Sequence, residues 1–358
     1  MSDTHNYQQQ LDTKIQKIRA DFAEFNLPDL TIFTSPPSHY RMRAEFKIWQ
    51  AGEFASYAMF APGPVKTPIA IETFNAASTT INRLMPLIMD NINQQAPLRY
   101  KLFEAHFLTS TIGEALVSLV YHTPLTPLWQ AHADELCHRL GINIVGRSRG
   151  QKIILGRDYV NEEFIVQGRK FHYRHSENSF TQPNGFVCEH MLNWAAEYTQ
   201  HLGGDLLELY CGNGNFTLPL TENFDQVLAT EVAKVSVADA HHNIARNNIP
   251  NLQVLRMSSA ELTDALTQKR QFRRLGDLDL NRYQFSTVFV DPPRSGLDTQ
   301  TLDFIKRFPN IMYISCNPES LKHNLQALSN THHIQAMALF DQFPFTDHLE
   351  TGVLLAQH

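Results

Sequence analysis

The sequence predicts an α/β protein in two parts: a doubly wound, mostly parallel sheet in the C-terminal half, preceded by a domain of α+β type. Three observations lead there. From residue 186 onward, short apolar strands alternate with helices. A glycine turn follows the first of those strands, where such sheets bind ligands. Between residues 40 and 172, strands and helices mix without that alternation. At 358 residues the chain suffices for two or three domains. With 43% hydrophobic and 18% charged residues it is not a largely disordered chain. No apolar run approaches the ~20 residues of a bilayer span. The polar start MSDTHNYQQQLDTKIQKIRADF lacks the apolar centre of a signal peptide, so a cytoplasmic location is expected.

Residues 7–25 carry Leu11, Ile15, Ile18 and Phe22 at helical spacing. The run Thr34-Ser35-Pro36-Pro37-Ser38 then breaks the chain. Strands are expected at Arg43–Trp49, Ala115–Tyr121, Asn143–Val145 and Lys152–Leu155, and helices at Ala77–Ile92 and Leu128–Leu140. In the C-terminal half, helix Val187–Thr199 precedes strand Asp205–Tyr210. The strands that follow are Gln226–Thr230, Leu252–Arg256, Thr287–Val290, Ile311–Ile314, Ile334–Phe340 and Gly352–Ala356. The helices between them are Val235–Asn247, Ser259–Thr267, Thr299–Phe308 and Pro318–Leu328. The expected divisions are 1–35, 36–172 and 173–358.

Cys137, Cys188, Cys211 and Cys316 form no CxxC pair, which argues against a disulfide framework, a zinc site or an iron–sulfur cluster. No metal is expected. The net charge is -6, which alone speaks against nucleic-acid binding. The charge is uneven, however. From Arg139 to Arg174 there are eight Arg and Lys against Asp158, Glu162 and Glu163, and a second basic cluster holds Arg41, Arg43 and Lys47. Local patches of this kind form an electrostatic footprint for phosphates.

The glycine turn reads Glu208-Leu209-Tyr210-Cys211-Gly212-Asn213-Gly214-Asn215-Phe216. Gly212 and Gly214 allow a tight turn and close approach of backbone to ligand. A dinucleotide fingerprint would place a third glycine near 217, where Thr217 stands. Glu231 ends the second strand, where a carboxylate accepts hydrogen bonds from ribose hydroxyls. The pattern favours a nucleoside cofactor without phosphates, such as S-adenosylmethionine.

The fourth strand ends in Asp291-Pro292-Pro293-Arg294. The prolines fix the turn that aims the Asp291 carboxylate into the cleft. Where enzymes that methylate exocyclic amines carry an aromatic residue, this chain carries Arg294, whose planar fork suits a phosphate or a carbonyl oxygen. The fifth strand ends in Ser315-Cys316-Asn317-Pro318, which puts a thiol in the expected cleft. A thiolate is a soft nucleophile able to add to carbon 6 of a pyrimidine. That addition turns carbon 5, otherwise too weak a nucleophile, into one able to take a methyl group. A base must then remove the carbon-5 proton. Glu350, His348 and Asp347 are all candidates for that base.

These motifs together resemble the uracil-C5 RNA methyltransferase family. The residues that carry the likeness are Ser179-Phe180-Thr181-Gln182-Pro183-Asn184, the loop from Leu209 to Phe216, Asp291-Pro292-Pro293-Arg294, Ser315-Cys316-Asn317-Pro318 and His348-Leu349-Glu350. The upstream run His39 to Phe46 extends it over nearly the whole chain and toward the tRNA-modifying branch. The resemblance implies a Rossmann-like S-adenosylmethionine-dependent methyltransferase domain, with Cys316 as nucleophile and Glu350 as proton acceptor. Gln182, Tyr210, Gly212, Asn215, Glu231 and Asp291 would line the cofactor site. The N-terminal segment would pack on the catalytic domain, and residues 36–172 would bind RNA. There Phe103 would act as a wedge in the loop. Arg41, Arg43, Lys47, Phe180 and Arg294 are the other RNA-contact candidates. The expected partner is the T arm of tRNA, or a similar loop in another structured RNA. The ribosomal-RNA relatives commonly carry an additional N-terminal barrel and a cysteine-held cluster, and neither is expected here. Two rival readings stand beside this one: methylation of an exocyclic amine without a covalent step, and a tRNA-binding chaperone.

Overall fold

The computed structural model describes residues 2–60, 67–276 and 278–358, with side chains from Asn6 onward. In chain order the first elements are α1 (Ser2–Asp21), β1 (Leu30–Phe33), β2 (Arg43–Ala51), β3 (Phe54–Phe60), β4 (Pro68–Ile71), α2 (Thr79–Gln94), α3 (Ala96–Arg99), β5 (Leu102–Thr109) and β6 (Ala115–Tyr121). There follow α4 (Pro127–Leu140), β7 (Asn143–Ser148), β8 (Gln151–Leu155), β9 (Tyr159–Val166), β10 (Arg169–Ser176) and α5 (Gly185–Thr199). The remainder is β11 (Asp205–Leu209), α6 (Thr217–Leu220), β12 (Val227–Thr230), α7 (Lys234–Asn247), β13 (Leu252–Leu255), α8 (Ser259–Leu266), β14 (Phe285–Val290), α9 (Thr299–Ile305), β15 (Asn310–Ser315), α10 (Pro318–Leu328), β16 (His332–Phe340) and β17 (Glu350–Gln357).

The chain forms two compact units. One comprises 1–37, 164–173 and 186–358; the other comprises 38–163 and 174–185. The chain passes between them within the β9–β10 hairpin. The tip of that hairpin is Gln167-Gly168, both at positive φ, the left-handed pair that a two-residue turn matching strand twist requires.

The first unit holds one sheet in the order β1-β16-β17-β15-β14-β11-β12-β13. The β15-β14-β11-β12-β13 run is parallel, and β17 lies antiparallel between β15 and β16. This is a Rossmann-like doubly wound sheet. Its central strands are covered on both faces by helices: every residue of β11 and β12 is buried, the Glu208 side chain included. One face packs Leu207, Leu209, Val288 and Val290 with Ile18 and Phe22 at the end of α1. The other packs Leu206, Phe289 and Ile314 with Trp194 and Met191 of α5. The first helix stops at Asp21, short of the expected 25, and Leu30–Phe33 pairs in parallel with β16 as an extra edge strand. Among the described residues no helix is long and apolar enough to cross a membrane.

The second unit is built on a seven-stranded sheet in the order β4-β3-β2-β5-β6-β7-β8. Helix α2 starts at Ser78, whose hydroxyl accepts from Ile81 N, and buries Ile81, Leu84, Met85, Ile88 and Ile92 along one stripe. Helix α4 starts at Thr126 with Pro127 in its first turn and ends at Gly141 at φ 63. Both helices pack on Phe46, Tyr57, Phe107 and Leu119 of the sheet.

Candidate active site

The carboxyl ends of four parallel strands stand side by side. The register pairs Leu209 with Thr230 and with Val290, and Val290 with Tyr313. Beyond those positions follow Tyr210, Glu231 and Asp291, with Cys316 shortly after Tyr313. The structure therefore brings together the residues of the first unit that the motifs singled out.

The Tyr210–Phe216 loop is shaped by its backbone. Tyr210 has φ 64 and Gly212 φ 56; a Cβ at Gly212 would meet nothing within 4 Å, so its Cα faces open space. Gly214 at φ 84 packs on Leu218 so closely that a Cβ would come within 2.4 Å of its Cδ1. Asn243 of α7 holds the loop by donating to Asn213 O at 3.0 Å. The Glu231 carboxylate accepts from Gly212 N at 3.1 Å, and from Val232 N and Ala233 N at 2.7 Å each. Its remaining lone pairs suit the hydroxyls of a ribose. The Tyr210 hydroxyl pairs with Ser259 Oγ at 2.9 Å. The Asn215 carboxamide lies against Cys188 Sγ, and the Asn215 backbone carbonyl accepts from Tyr173 Oη at 3.0 Å. No Lys or Arg occurs from 210 to 217, so the loop offers no side-chain cation to a pyrophosphate. The donor set thus fits a nucleoside cofactor such as S-adenosylmethionine.

Cys316 sits one step past Ser315, which pairs with Thr351 in the antiparallel β15–β17 register. The ladder ends at that pair: Cys316 stands at the bend that follows β15 and Glu350 opens β17, near enough for its carboxyl to act on the thiol. Burial pushes the Cys316 thiol up to about 11, and Glu350 and Asp291 add to this while Arg294 works against it. The resting group is therefore a thiol. Glu350 is buried and its carboxyl is pushed up to about 8, by burial first and Asp291 second. Burial alone raises the Asp291 carboxyl to about 7. Carboxyls placed this way exchange protons near neutral pH, as acid–base groups must.

Asn317 ties the two loops together. Its side chain caps α10 by accepting from Glu319 N, with Pro318 in the first turn, and its Nδ2 donates to Arg294 O at 3.0 Å. Asn324 of α10 takes Tyr313 Oη at 2.7 Å and Leu297 N at 2.9 Å on its Oδ1. Asn317 stood in the Ser315–Pro318 motif without a role of its own, and Asn324 carried no sequence signal. Arg294 and Cys316 line an open cavity of about 1130 Å³, together with Asp347 and His348 and with Lys14 and Lys17 of α1. Pockets for single small ligands span about 300–1,000 Å³. Glu208, in mid-strand on β11, was also missed as a candidate. It is 1% exposed and burial pushes its carboxyl up to about 8.

The remaining candidates lie in the second unit. Gln182 is half-buried and Phe180 exposed, both in the 174–185 segment. Arg43 donates to Glu177 O at 3.2 Å and Ser179 O at 2.9 Å, so its guanidinium holds the turn that leads to Phe180. Arg41 donates through Nε to Arg43 O at 2.8 Å. Lys47 pairs with Glu104, which also holds His106 at 3.0 Å. Phe103 stacks on exposed His122, with ring centroids 3.8 Å apart and planes at 10°. His122 carried no sequence signal, because its place beside Phe103 follows from a register shift between Leu102 and Glu104.

The basic run from Arg139 to Arg174 is less bare than its sequence suggests. Within the second unit Arg147 is bidentate on Glu177 at 2.6 and 2.7 Å, Lys152 pairs with Asp158 at 2.7 Å, and Arg157 pairs with Glu114 at 3.0 Å. In the first unit Arg169 pairs with Glu222. Acids distant in sequence neutralise much of it. Among the described residues no group of three or more His, Cys, Asp or Glu is placed to hold a metal ion.

Residues 6–358 match the family model described as tRNA (Uracil-5-)-methyltransferase. The chain is 53% identical over 353 residues to the tRNA/tmRNA (uracil-C(5))-methyltransferase of Saccharophagus degradans, covering 98% of this chain and 97% of the relative. It is 54% identical over 349 residues to the enzyme of the same name from Cellvibrio japonicus, covering 98% and 95%. Its fold matches the solved structure of Pyrococcus abyssi tRNA (uracil-54, C5)-methyltransferase in complex with S-adenosyl-L-homocysteine. That match has a TM-score of 0.74 at 19% identity, covering 98% of this chain and 83% of that one. With its motifs at the carboxyl ends of one doubly wound sheet and this likeness over nearly its whole length, the chain belongs to the tRNA (uracil-5-)-methyltransferase family.

Proposed function

We propose that this chain methylates carbon 5 of uridine 54 in the T loop of tRNA, giving ribothymidine, through a covalent adduct between Cys316 and carbon 6. A T-like loop in another structured RNA is a second proposed substrate, in keeping with the tmRNA in its relatives' names. The observation that carries the reading is a thiol one residue past the last β15–β17 pair, with the buried Glu350 carboxyl as its electrostatic neighbour at the mouth of a parallel sheet.

In this mechanism the T-loop uridine leaves its stack and enters the cleft, at a cost of a few kcal/mol. The Cys316 thiol first releases its proton to solvent; the thiolate sulfur then bonds to carbon 6, and the electron pair of the 5,6 double bond moves toward carbon 5 and the carbonyl oxygen at position 4. Arg294 favours the thiolate form of Cys316. When bound, S-adenosylmethionine supplies an electrophilic methyl group for carbon 5. Tyr210, Gly212, Asn215, Glu231 and Asp291 would hold that cofactor. Glu350 then takes the proton left on carbon 5, the double bond re-forms, and the carbon–sulfur bond breaks to free Cys316.

The Phe103–His122 stack offers an aromatic face to a base displaced near the target. Phe103→Ala should weaken tRNA binding by about 1–3 kcal/mol, the worth of one stacked base. A filter-binding or fluorescence titration checks this, and unchanged affinity with unchanged turnover removes the wedge role. The reading as a whole is tested by incubating the protein with unmodified tRNA and S-adenosylmethionine, then mapping 5-methyluridine by nuclease digestion and mass spectrometry. Methylation at position 54 supports it, and no methylated uridine overturns it.

A further inference from the structure

The N-terminal helix grips the loop that delivers Glu350. Its residues Tyr7, Gln10 and Lys14 share one face at spacings of three and four. Lys14 is 7% exposed, and its ammonium donates to three oxygens. These are Asp341 Oδ1 at 2.7 Å, Phe343 O at 3.0 Å and His348 O at 2.9 Å. An ammonium has three N–H bonds, so this set uses its whole donor capacity. Asp341 is fully buried directly after β16, and His348 lies two residues before Glu350 at the start of β17. One cation therefore closes both ends of the 341–349 loop. Gln10, one turn away, donates to Thr346 O at 2.6 Å and accepts from Phe345 N at 3.3 Å. The Tyr7 ring meets the Phe345 ring edge to face at 5.9 Å.

We infer that Lys14 is a positioning residue for the proton-removal step. The inference rests on the assignment of Glu350 as the base. A long hairpin loop fixes the direction of its last residues poorly, because its own strands constrain only its ends. Lys14 sets the peptide at His348 and thereby the entry angle of Leu349 and Glu350. Its three hydrogen bonds go to Asp341, Phe343 and His348 and none to Cys316, whose cavity it borders, so bond formation between Cys316 and carbon 6 leans on it less than proton removal does. The step that depends on it is proton transfer from carbon 5 to Glu350, after which the carbon–sulfur bond breaks and the thiolate leaves. Loss of Lys14 should leave formation of the protein–RNA adduct intact and slow its resolution.

The test uses the full chain, unmodified tRNA transcript and S-adenosylmethionine under single-turnover conditions. Adduct formation and decay are followed on denaturing gels, beside tRNA affinity. Lys14→Met alone strands a buried carboxylate, so Lys14→Met with Asp341→Asn is the working variant. Gln10→Ala, which removes only exposed contacts, is the second. A misplaced base costs up to about a hundredfold, so the double variant should resolve its adduct about tenfold or more slowly. Formation rate and tRNA affinity should stay within about twofold. Gln10→Ala should slow the same step by a smaller factor. Glu350→Gln serves as reference. If it accumulates adduct and neither helix variant does, the inference is overturned and the base assignment stands. Equal loss of formation, decay and affinity in the helix variants also overturns it, since that is what a merely structural role produces. If Glu350→Gln accumulates no adduct, the base assignment fails and takes the inference with it.

Discussion

Cys316→Ala is expected to abolish methylation of tRNA and to leave tRNA affinity and fold intact. The reason is electronic. Carbon 5 of uracil takes up a methyl group only after a nucleophile has added at carbon 6, and alanine offers no lone pair there. Removing the nucleophile of a covalent enzyme costs about 10⁴–10⁶-fold in turnover. The side chain is small and half-exposed at a strand end, so its loss opens no large cavity. Methyl incorporation under saturating tRNA, beside a binding titration, measures both halves of the expectation. An alanine variant that still methylates would favour the exocyclic-amine reading, in which Asp291-Pro292-Pro293 holds an amine and no adduct forms. A methylation-dead variant that still refolds tRNA would show that chaperoning runs beside the chemistry.

Glu350→Gln should trap the enzyme on its RNA. Glutamine fills the same space in the same buried site but cannot accept the carbon-5 proton, so the methylated adduct has no exit. A protein–RNA band should persist on a denaturing gel, and its decay should be slower than in the unaltered protein by about 10²–10⁴-fold, the usual worth of a positioned base. Decay in the unaltered protein should quicken as the pH rises toward about 8, because only the deprotonated Glu350 accepts a proton and its carboxyl is pushed up to about 8 by burial and Asp291. A stalled adduct in His348→Ala or Asp347→Asn, with Glu350→Gln turning over normally, would move the base to one of those residues.

The sheet of the first unit was legible because it rests on local signals. Largely apolar strands such as Leu206–Leu209 and Val288–Val290 are bounded by Gly and Pro turns, and the glycine loop, Asp291-Pro292-Pro293-Arg294 and Cys316-Asn317-Pro318 fall just past strand ends. Helix α10 was read with both ends in place, since Asn317 and Pro318 mark its start. What escaped notice depends on pairing between distant segments. Strand β1 is four residues long and exists because β16 lies alongside it. Strands β3, β4 and β5 complete a sheet whose alternation is blurred where Trp49, Phe54 and Ile69 are exposed. The basic run looked like a bare footprint because Glu114, Glu177 and Glu222 lie outside it in sequence and meet it only in the fold. That β17 runs beside β15, which brings Glu350 near Cys316, is likewise a matter of strand order. Chemistry alone therefore left Glu350, His348 and Asp347 as rivals.

The three raised carboxyls of the first unit make the folded chain a reservoir of protons. Glu208 and Glu350 hold theirs to about 8 and Asp291 to about 7, because burial penalises the charged form. The unfolded chain releases the same protons near the ordinary carboxyl values of 4.5 and 3.8. Between those limits these three carboxyls bind more protons in the native state than in the unfolded state, so their contribution to stability falls as pH rises. The stabilisation is complete below the ordinary values and spent once pH passes about 8. Denaturant titrations at pH 5.5, 7 and 8.5, run without substrate, should give steadily lower midpoints if these three carboxyls dominate the linkage, and a rising midpoint would refute that. With Glu350 as the proposed base, the titration that readies it also removes its share of the fold's stabilisation, so the two properties answer to pH in opposite directions.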